Sequence, residues 1–151
     1  MVFSIEFIEQ GKLVNPDEVS ESLDEVCLGR ITIGTFSEKF ESPLCFWREP
    51  QYKEQWIAAI SRLLSSSEKT ALITAMYDPV HANFLTCWPI YRENKMAYFQ
   101  NQLLFLDQLT TPFNLASIDE HIKPRRTVDD KGRRISEWSI GLSDLVFWVG
   151  L

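Results

Sequence analysis

The stretch Met76 to Leu106, MYDPVHANFLTCWPIYRENKMAYFQNQLLFL, restricts the fold more than any other part of the chain. Phe84 to Tyr91 and Met96 to Gln102 have the half-buried, aromatic-rich character of strands, and the polar segment Arg92-Glu93-Asn94-Lys95 between them is short enough only for a tight turn. Asn94 is the residue there that tolerates a left-handed backbone. Lys69 to Tyr77 precedes them as a well-buried strand, with Ala71, Ile73, Ala75 and Tyr77 on one side and Leu72 and Met76 on the other. Three consecutive strands make an antiparallel meander the economical topology. Pro89 has no ladder hydrogen bond to donate, so its strand is expected to be bulged there or to lie at a sheet edge.

The other elements follow from period and punctuation. Phe3, Ile5 and Phe7 alternate with Ser4, Glu6 and Ile8 as a first strand, and Gly11 to Pro16 are expected to turn. Asp17 to Glu25 reads as a loop or a short helix. Leu28 to Phe36 reads as a second strand, with Gly29 and Gly34 as places for a bend or bulge, and Glu38 to Pro43 as a connection. From Pro50 the period becomes helical: Tyr52, Trp56, Ile60 and Leu63 or Leu64 share a face opposite Lys53, Glu54 and Arg62, and Ser65-Ser66-Ser67 ends the helix. Ser117 to Ile122 suits a helical turn or two. Lys123 to Ile140 reads as a second hairpin about Asp129-Asp130-Lys131-Gly132, and Leu142 to Val149 as a short C-terminal helix capped by Ser139 or Ser143 and docked on the sheet. The expectation is one α+β domain over residues 1–151, with antiparallel sheets (a meander and a C-terminal hairpin), one main amphipathic helix and a short C-terminal helix.

Composition excludes several classes of function. A hydrophobic fraction of 45% with 13% aromatics belongs to a folded chain with an aromatic core. No apolar run approaches the roughly 20 residues that cross a bilayer, and Met1 to Glu9 lacks the basic start and unbroken apolar stretch of a secretory signal. Cys27, Cys45 and Cys87 are odd in number and widely spaced, as reduced structural thiols of a cytoplasmic protein would be. The net charge of −6 disfavours non-specific nucleic-acid binding. It is unevenly distributed: residues 1–25 carry seven acids against Lys12, whereas residues 123–134 carry six bases against two acids. Such a field suits steering of a basic protein partner.

Catalytic and ligand motifs are missing. His81 and His121 lie forty positions apart with no histidine or cysteine at ligand spacing, so no metal site is announced. Cys87, His81 and Asp78 could supply a nucleophile, base and orienter only if the chain turned sharply, because six residues of strand span about 20 Å. The acidic pairs have no evident acid–base partner, and the six glycines form no phosphate cradle. Neither a cofactor nor a small-molecule substrate is expected. Arg125-Arg126 and Arg133-Arg134, with Trp138 nearby, imitate a small single-strand nucleic-acid platform, which is the alternative reading. The −10 net charge of the remaining residues opposes it, and Glu137 is a carboxylate able to separate the arginines.

Trp47, Tyr52 and Trp56, then Met76-Tyr77-Asp78-Pro79, Asn83-Phe84, Tyr91, Gln100-Asn101, Leu104-Phe105-Leu106, Arg126-Thr127, Asp130, Gly132 and Ile135-Ser136-Glu137-Trp138 together carry a resemblance. In order and spacing they resemble the immunity proteins of bacterial contact-dependent growth inhibition, from Ile31 onward and more loosely before it. The resemblance implies a cytoplasmic protein that binds and neutralises the C-terminal toxin domain delivered by a neighbouring cell. One branch of similar sequence opposes a ribosomal RNA nuclease, and the family is similar in fold to the Whirly single-stranded-DNA-binding domain. Inhibition by stoichiometric binding needs no catalytic residue. The family does not supply contact residues, because cognate specificity requires the interface to vary. Charge and expected placement in loops or turns nominate Glu18, Glu21, Asp24, Glu25, Asp78 and Glu93 as toxin-binding acids.

Overall fold

The N-terminal alternation continues further than its apolar residues alone suggest. A computed structural model of the chain describes residues 1–14 and 24–150, the side chains of 10–14 and 24 excepted. Strand β1 spans Phe3–Val14, including the Gly11–Val14 segment expected to turn, and pairs antiparallel with β2, Asp24–Ile33. Asp24 and Glu25 are therefore strand residues, opposite Val14 and Leu13, and belong to neither a loop nor a helix. The pairing supplies backbone partners that a short acidic helix could not hold by itself. The remainder of the acidic stretch, with Glu18 and Glu21, lies outside the described residues.

A two-residue turn with Gly34 at φ 64° leads into β3, Phe36–Pro43. This third strand replaces the connection expected over Glu38–Pro43. Its period is hidden because it is an edge strand whose Ser37, Glu38, Lys39 and Glu41 are all exposed, leaving Phe36, Phe40, Ser42 and Pro43 partly or fully covered. The bulge near the glycines falls in β1, where the register slips between Phe7 and Glu9 opposite Gly29. Gly29 itself is required because a Cβ there would collide with the ring of Phe40.

Helix α1 spans Glu49–Ser65 with Pro50 in its first turn, and it buries Tyr52, Trp56, Ala59, Ile60 and Leu63 as the spacing predicts. The amides of Ser66 and Ser67 close it, both donating to the Arg62 carbonyl at 2.8 Å. The helix lies along the outer edge of β4, Lys69–Ala75, and hydrogen-bonds to it through side chains. Gln55 donates to the Ala71 carbonyl and accepts from the Ile73 amide, each at 2.8 Å, while the Trp56 indole donates to the Ile73 carbonyl at 2.7 Å. A single helix thus both packs the core and satisfies a strand edge.

The expected meander is present as β4, β5 (Phe84–Glu93) and β6 (Met96–Phe99), with Asn94 left-handed at φ 56° in the turn. A short strand β7, Gln102–Phe105, pairs with the first half of β5, and β8, Trp138–Gly141, pairs with β6. The long hairpin expected over Lys123–Ile140 does not form. A single bridge joins Val128 to Arg134 around the Asp129–Gly132 turn, and the chain beyond it leaves to pair with β6 instead. Ser117 to Ile122 is helical as expected, a 3₁₀ turn at Leu115–Ser117 running into α2, Ile118–His121.

Helix α3, Leu142–Val149, packs against α1, β1 and β8. Its N-cap is Gly141 rather than either serine, and no side chain caps it; the Leu142 amide donates instead to the Lys95 carbonyl at 2.9 Å. Among the described residues the two sheets and three α-helices share one core, with Trp56, Trp88, Tyr52 and Phe99 its largest fully buried side chains.

Candidate functional site

Among the described residues the nominated acids Glu25, Asp78 and Glu93 are not gathered into one patch. Glu25 points from β2 to the start of α1, where both its oxygens accept from the Arg48 guanidinium at 3.0 Å. The hydrogen bond from Arg48 holds its carboxyl below the usual range. Asp78 lies in the β4–β5 turn, its carboxylate accepting the Val80 amide at 3.0 Å and its carbonyl accepting those of His81 and Ala82. Glu93 ends β5 and pairs with Arg125 at 3.1 Å. Asp78 and Glu93 flank opposite ends of a ten-residue strand, on the order of 30 Å apart. Two of the nominated carboxylates are thus occupied within the fold. Asp24 opens β2, and its side chain is outside the description, as are Glu18 and Glu21 entirely.

Three of the four clustered arginines are occupied as well, whereas Arg134 is in no ion pair among the described residues. Arg125 lies over the Tyr98 ring, 4.0 Å from its centroid, and makes two bonds to Glu137 at 2.5 and 2.9 Å in addition to the one to Glu93. That contact with Arg125 holds Glu137 below the usual carboxylate range and raises the Arg125 pKa further. Arg126 pairs with Asp130 at 2.9 Å and Arg133 with Asp129 at 3.0 Å. Glu137 therefore neutralises Arg125, with Asp130 and Asp129 taking Arg126 and Arg133, and Gln100 donates to Glu137 and to the Arg126 carbonyl, each at 2.9 Å. Cations neutralised in this way, with Tyr98 already covered, are a poor platform for phosphates and bases.

Sequence reasoning missed an exposed apolar row. Met76 to Leu106 reads as sheet core and turns, yet Phe84, Leu103 and Phe105 are 38%, 47% and 41% exposed. An alternation of period two states that one face is apolar; it cannot state where along the strand that face stops being covered.

Residues 42–148 match the family model described as the CdiI N-terminal domain, which is most of the chain. The immunity protein CdiI of Enterobacter cloacae subsp. cloacae is 31% identical over 137 residues, covering 91% of this chain and 86% of that protein. This chain belongs to the CdiI immunity family. A chain in the solved CdiA-CT/CdiI toxin and immunity complex from Enterobacter cloacae superposes on this member with a TM-score of 0.85 at 29% identity, covering 99% of this chain and 97% of that one. The α+β fold with antiparallel sheets expected from sequence is thus the CdiI fold.

Of the reactive-looking residues of this CdiI-family chain, Cys27, Cys87 and His121 are buried, whereas Cys45, expected as a structural thiol, is exposed. Cys87 is fully buried in β5, and burial pushes its thiol up to about 12; His81 is exposed in the preceding turn, so the conceivable Cys–His–Asp grouping is not assembled. Cys27 is also raised to about 12, by burial and by the Glu49 carboxylate that accepts its S–H at 2.6 Å. A protonated thiol is a poor nucleophile. His121 is buried, stacked on Phe113 at 5.4 Å, with Nε2 accepting from the Asn114 amide at 3.1 Å. Among the described residues no group of three or more acids, histidines and cysteines could hold a metal ion, and no helix is long and apolar enough to cross a membrane.

Proposed function

We infer that this chain is the immunity partner of a CdiA C-terminal toxin domain and neutralises it in the cytoplasm by stoichiometric binding, without catalysis. The observation that carries this reading is the near-complete superposition on a chain of the CdiA-CT/CdiI complex. Inhibition by occlusion asks for a rigid surface and a cognate partner, which the buried thiols and internally paired arginines described above are compatible with.

We further propose that acidic side chains contribute by matching a basic toxin surface, as the binding surface of a nuclease would be. Glu18, Glu21, Asp24 and Glu25 cluster in sequence and Asp78 precedes β5, whereas Glu25 and Glu93 would reach a partner only by exchanging Arg48 and Arg125 for its basic groups. Opposite charge speeds encounter and penalises wrong partners more than it adds affinity. Expressed in one cell with the CdiA C-terminal domain encoded beside it, the chain should restore growth and co-purify with that domain. Growth arrest despite good expression of folded protein would sink the reading. Reversing Glu21, Asp24 and Glu25 to Lys should slow association at low salt; unchanged kinetics would remove that segment from the interface.

A further inference from the structure

One face of β5 and β7 runs out of the core before the strands end. Contacts from the smaller sheet reach Trp88, whose ring centroid is 6.4 Å from that of Phe36, and Asn101, whose amide donates to Glu38 at 3.3 Å. Beyond these, register pairs Phe84 with Phe105 and Thr86 with Leu103, so the three exposed apolar side chains lie on the same face as Trp88. Tyr77 extends the row: its ring is 6.4 Å from Phe84, which is 6.3 Å from Phe105. Isolated exposed apolar residues are normal, but a connected row held on a sheet is the usual mark of an interaction site.

Three carboxylates border this row. Asp78 adjoins Tyr77, Glu38 is hydrogen-bonded at Asn101, and Asp107 follows Leu106, whose amide donates to the Asn83 carbonyl at 2.9 Å. Among the described residues none of these three carboxylates is paired with a cation, in contrast to Glu25, Glu93 and Glu137. Exposed acids elsewhere, such as Glu6, Glu41 and Glu54, are likewise outside the ion pairs of the described residues, so what distinguishes these three is their place against the apolar row. The row also borders an open edge, since β7 pairs only with β5 and β8 stops at β6.

We propose that the aromatic row Tyr77–Phe84–Phe105 with Leu103, inside its rim of unpaired carboxylates, is the surface on which the toxin domain docks; this rests on the immunity reading above. The fitting partner presents apolar side chains within a basic surface. Aromatic anchors at the centre hold the complex, and the carboxylates outside them steer it.

The test measures binding of the purified CdiA C-terminal domain encoded with this chain to the wild type, to Leu103→Arg/Phe105→Arg, to Asp78→Lys/Asp107→Lys, and to Phe147→Arg on α3, where the side chain is 88% exposed. The wild type and Phe147→Arg should bind alike. Leu103→Arg/Phe105→Arg should weaken binding by about 100-fold or more, as loss of central anchors does, with its melting temperature preserved. Asp78→Lys/Asp107→Lys, which gives up the Val80 amide bond to Asp78 and is compared at a matched melting temperature, should bind more slowly at low salt. Tight wild-type binding matched by both double variants would overturn the proposal and leave the immunity reading intact. So would a wild-type dimer that Leu103→Arg/Phe105→Arg dissociates without changing toxin affinity. Absence of wild-type binding would instead overturn the immunity reading, and this proposal with it.

Discussion

Pro89 faces Gln100 across the sheet and accepts its amide at 3.0 Å, but has no N–H to return. The strand opposite is broken at that point into β6 and β7, although its register against β5 is the same on both sides: Ile90 faces Phe99 and Cys87 faces Gln102. Contrary to expectation, β5 is neither bulged at Pro89 nor at an edge: it runs through the interior of the sheet with unbroken register there, and the interruption lies in the neighbouring strand.

Replacing Pro89 with Val supplies the missing donor. The new hydrogen bond, about 1 kcal/mol, and the extra freedom of the unfolded chain, about 0.4–1 kcal/mol, nearly cancel. Hydrogen exchange should reveal a protected amide at position 89 with little change in melting temperature; a freely exchanging amide there would show that the break has another cause.

Gln55 acts as a surrogate strand for the β4 edge. Gln55→Ala leaves the Ala71 carbonyl and the Ile73 amide buried without their partner, and should cost about 2–4 kcal/mol in urea unfolding. A loss below 0.5 kcal/mol would mean that water replaces the side chain at no cost.

Asp119 ties α2 to α1 and β4. Burial by itself would raise its pKa, but hydrogen bonds from Arg62, Thr70 and Ser67 outweigh that, and the carboxyl is lowered from 3.8. The folded state therefore binds this proton less readily than the unfolded one. The stabilisation is complete above the unfolded value and declines as pH falls toward the folded one. Asp119→Asn should lower stability by about 1–3 kcal/mol at neutral pH, with the difference from wild type narrowing below pH 4. A difference constant from pH 7 to pH 2.5 would refute the assignment.

Because Arg125, Arg126 and Arg133 are paired internally, the chain should give no salt-sensitive shift of labelled single-stranded DNA at physiological ionic strength. A shift abolished by changing Arg125, Arg126, Arg133 and Arg134 to Ala would revive the nucleic-acid reading.

Elements with a strong local period were legible in the sequence. Trp56 and Ile60 fall one helical turn apart, and Asn94 marks a turn because few residues accept its backbone conformation. Strand β3 was not legible, since Glu38, Lys39 and Glu41 face water on an edge and only distant partners give the segment its extended form. The second hairpin failed for the converse reason. Its turn at Asp129–Gly132 is local and forms, but Trp138–Gly141 finds a better partner in β6 than in its own neighbour.

Sequence alone determined the family, the meander, the main helix and the lack of a catalytic motif, because these depend on residue order, period and local backbone preference. Only the tertiary structure decided which charges are spent and which apolar residues remain uncovered. Glu93 and Arg125 are thirty-two positions apart and neutralise each other, whereas among the described residues Asp78 is in no ion pair and Phe84 and Phe105, on paired strands, remain exposed. Pairing and coverage are properties of neighbours in space, and no local pattern in the chain encodes them.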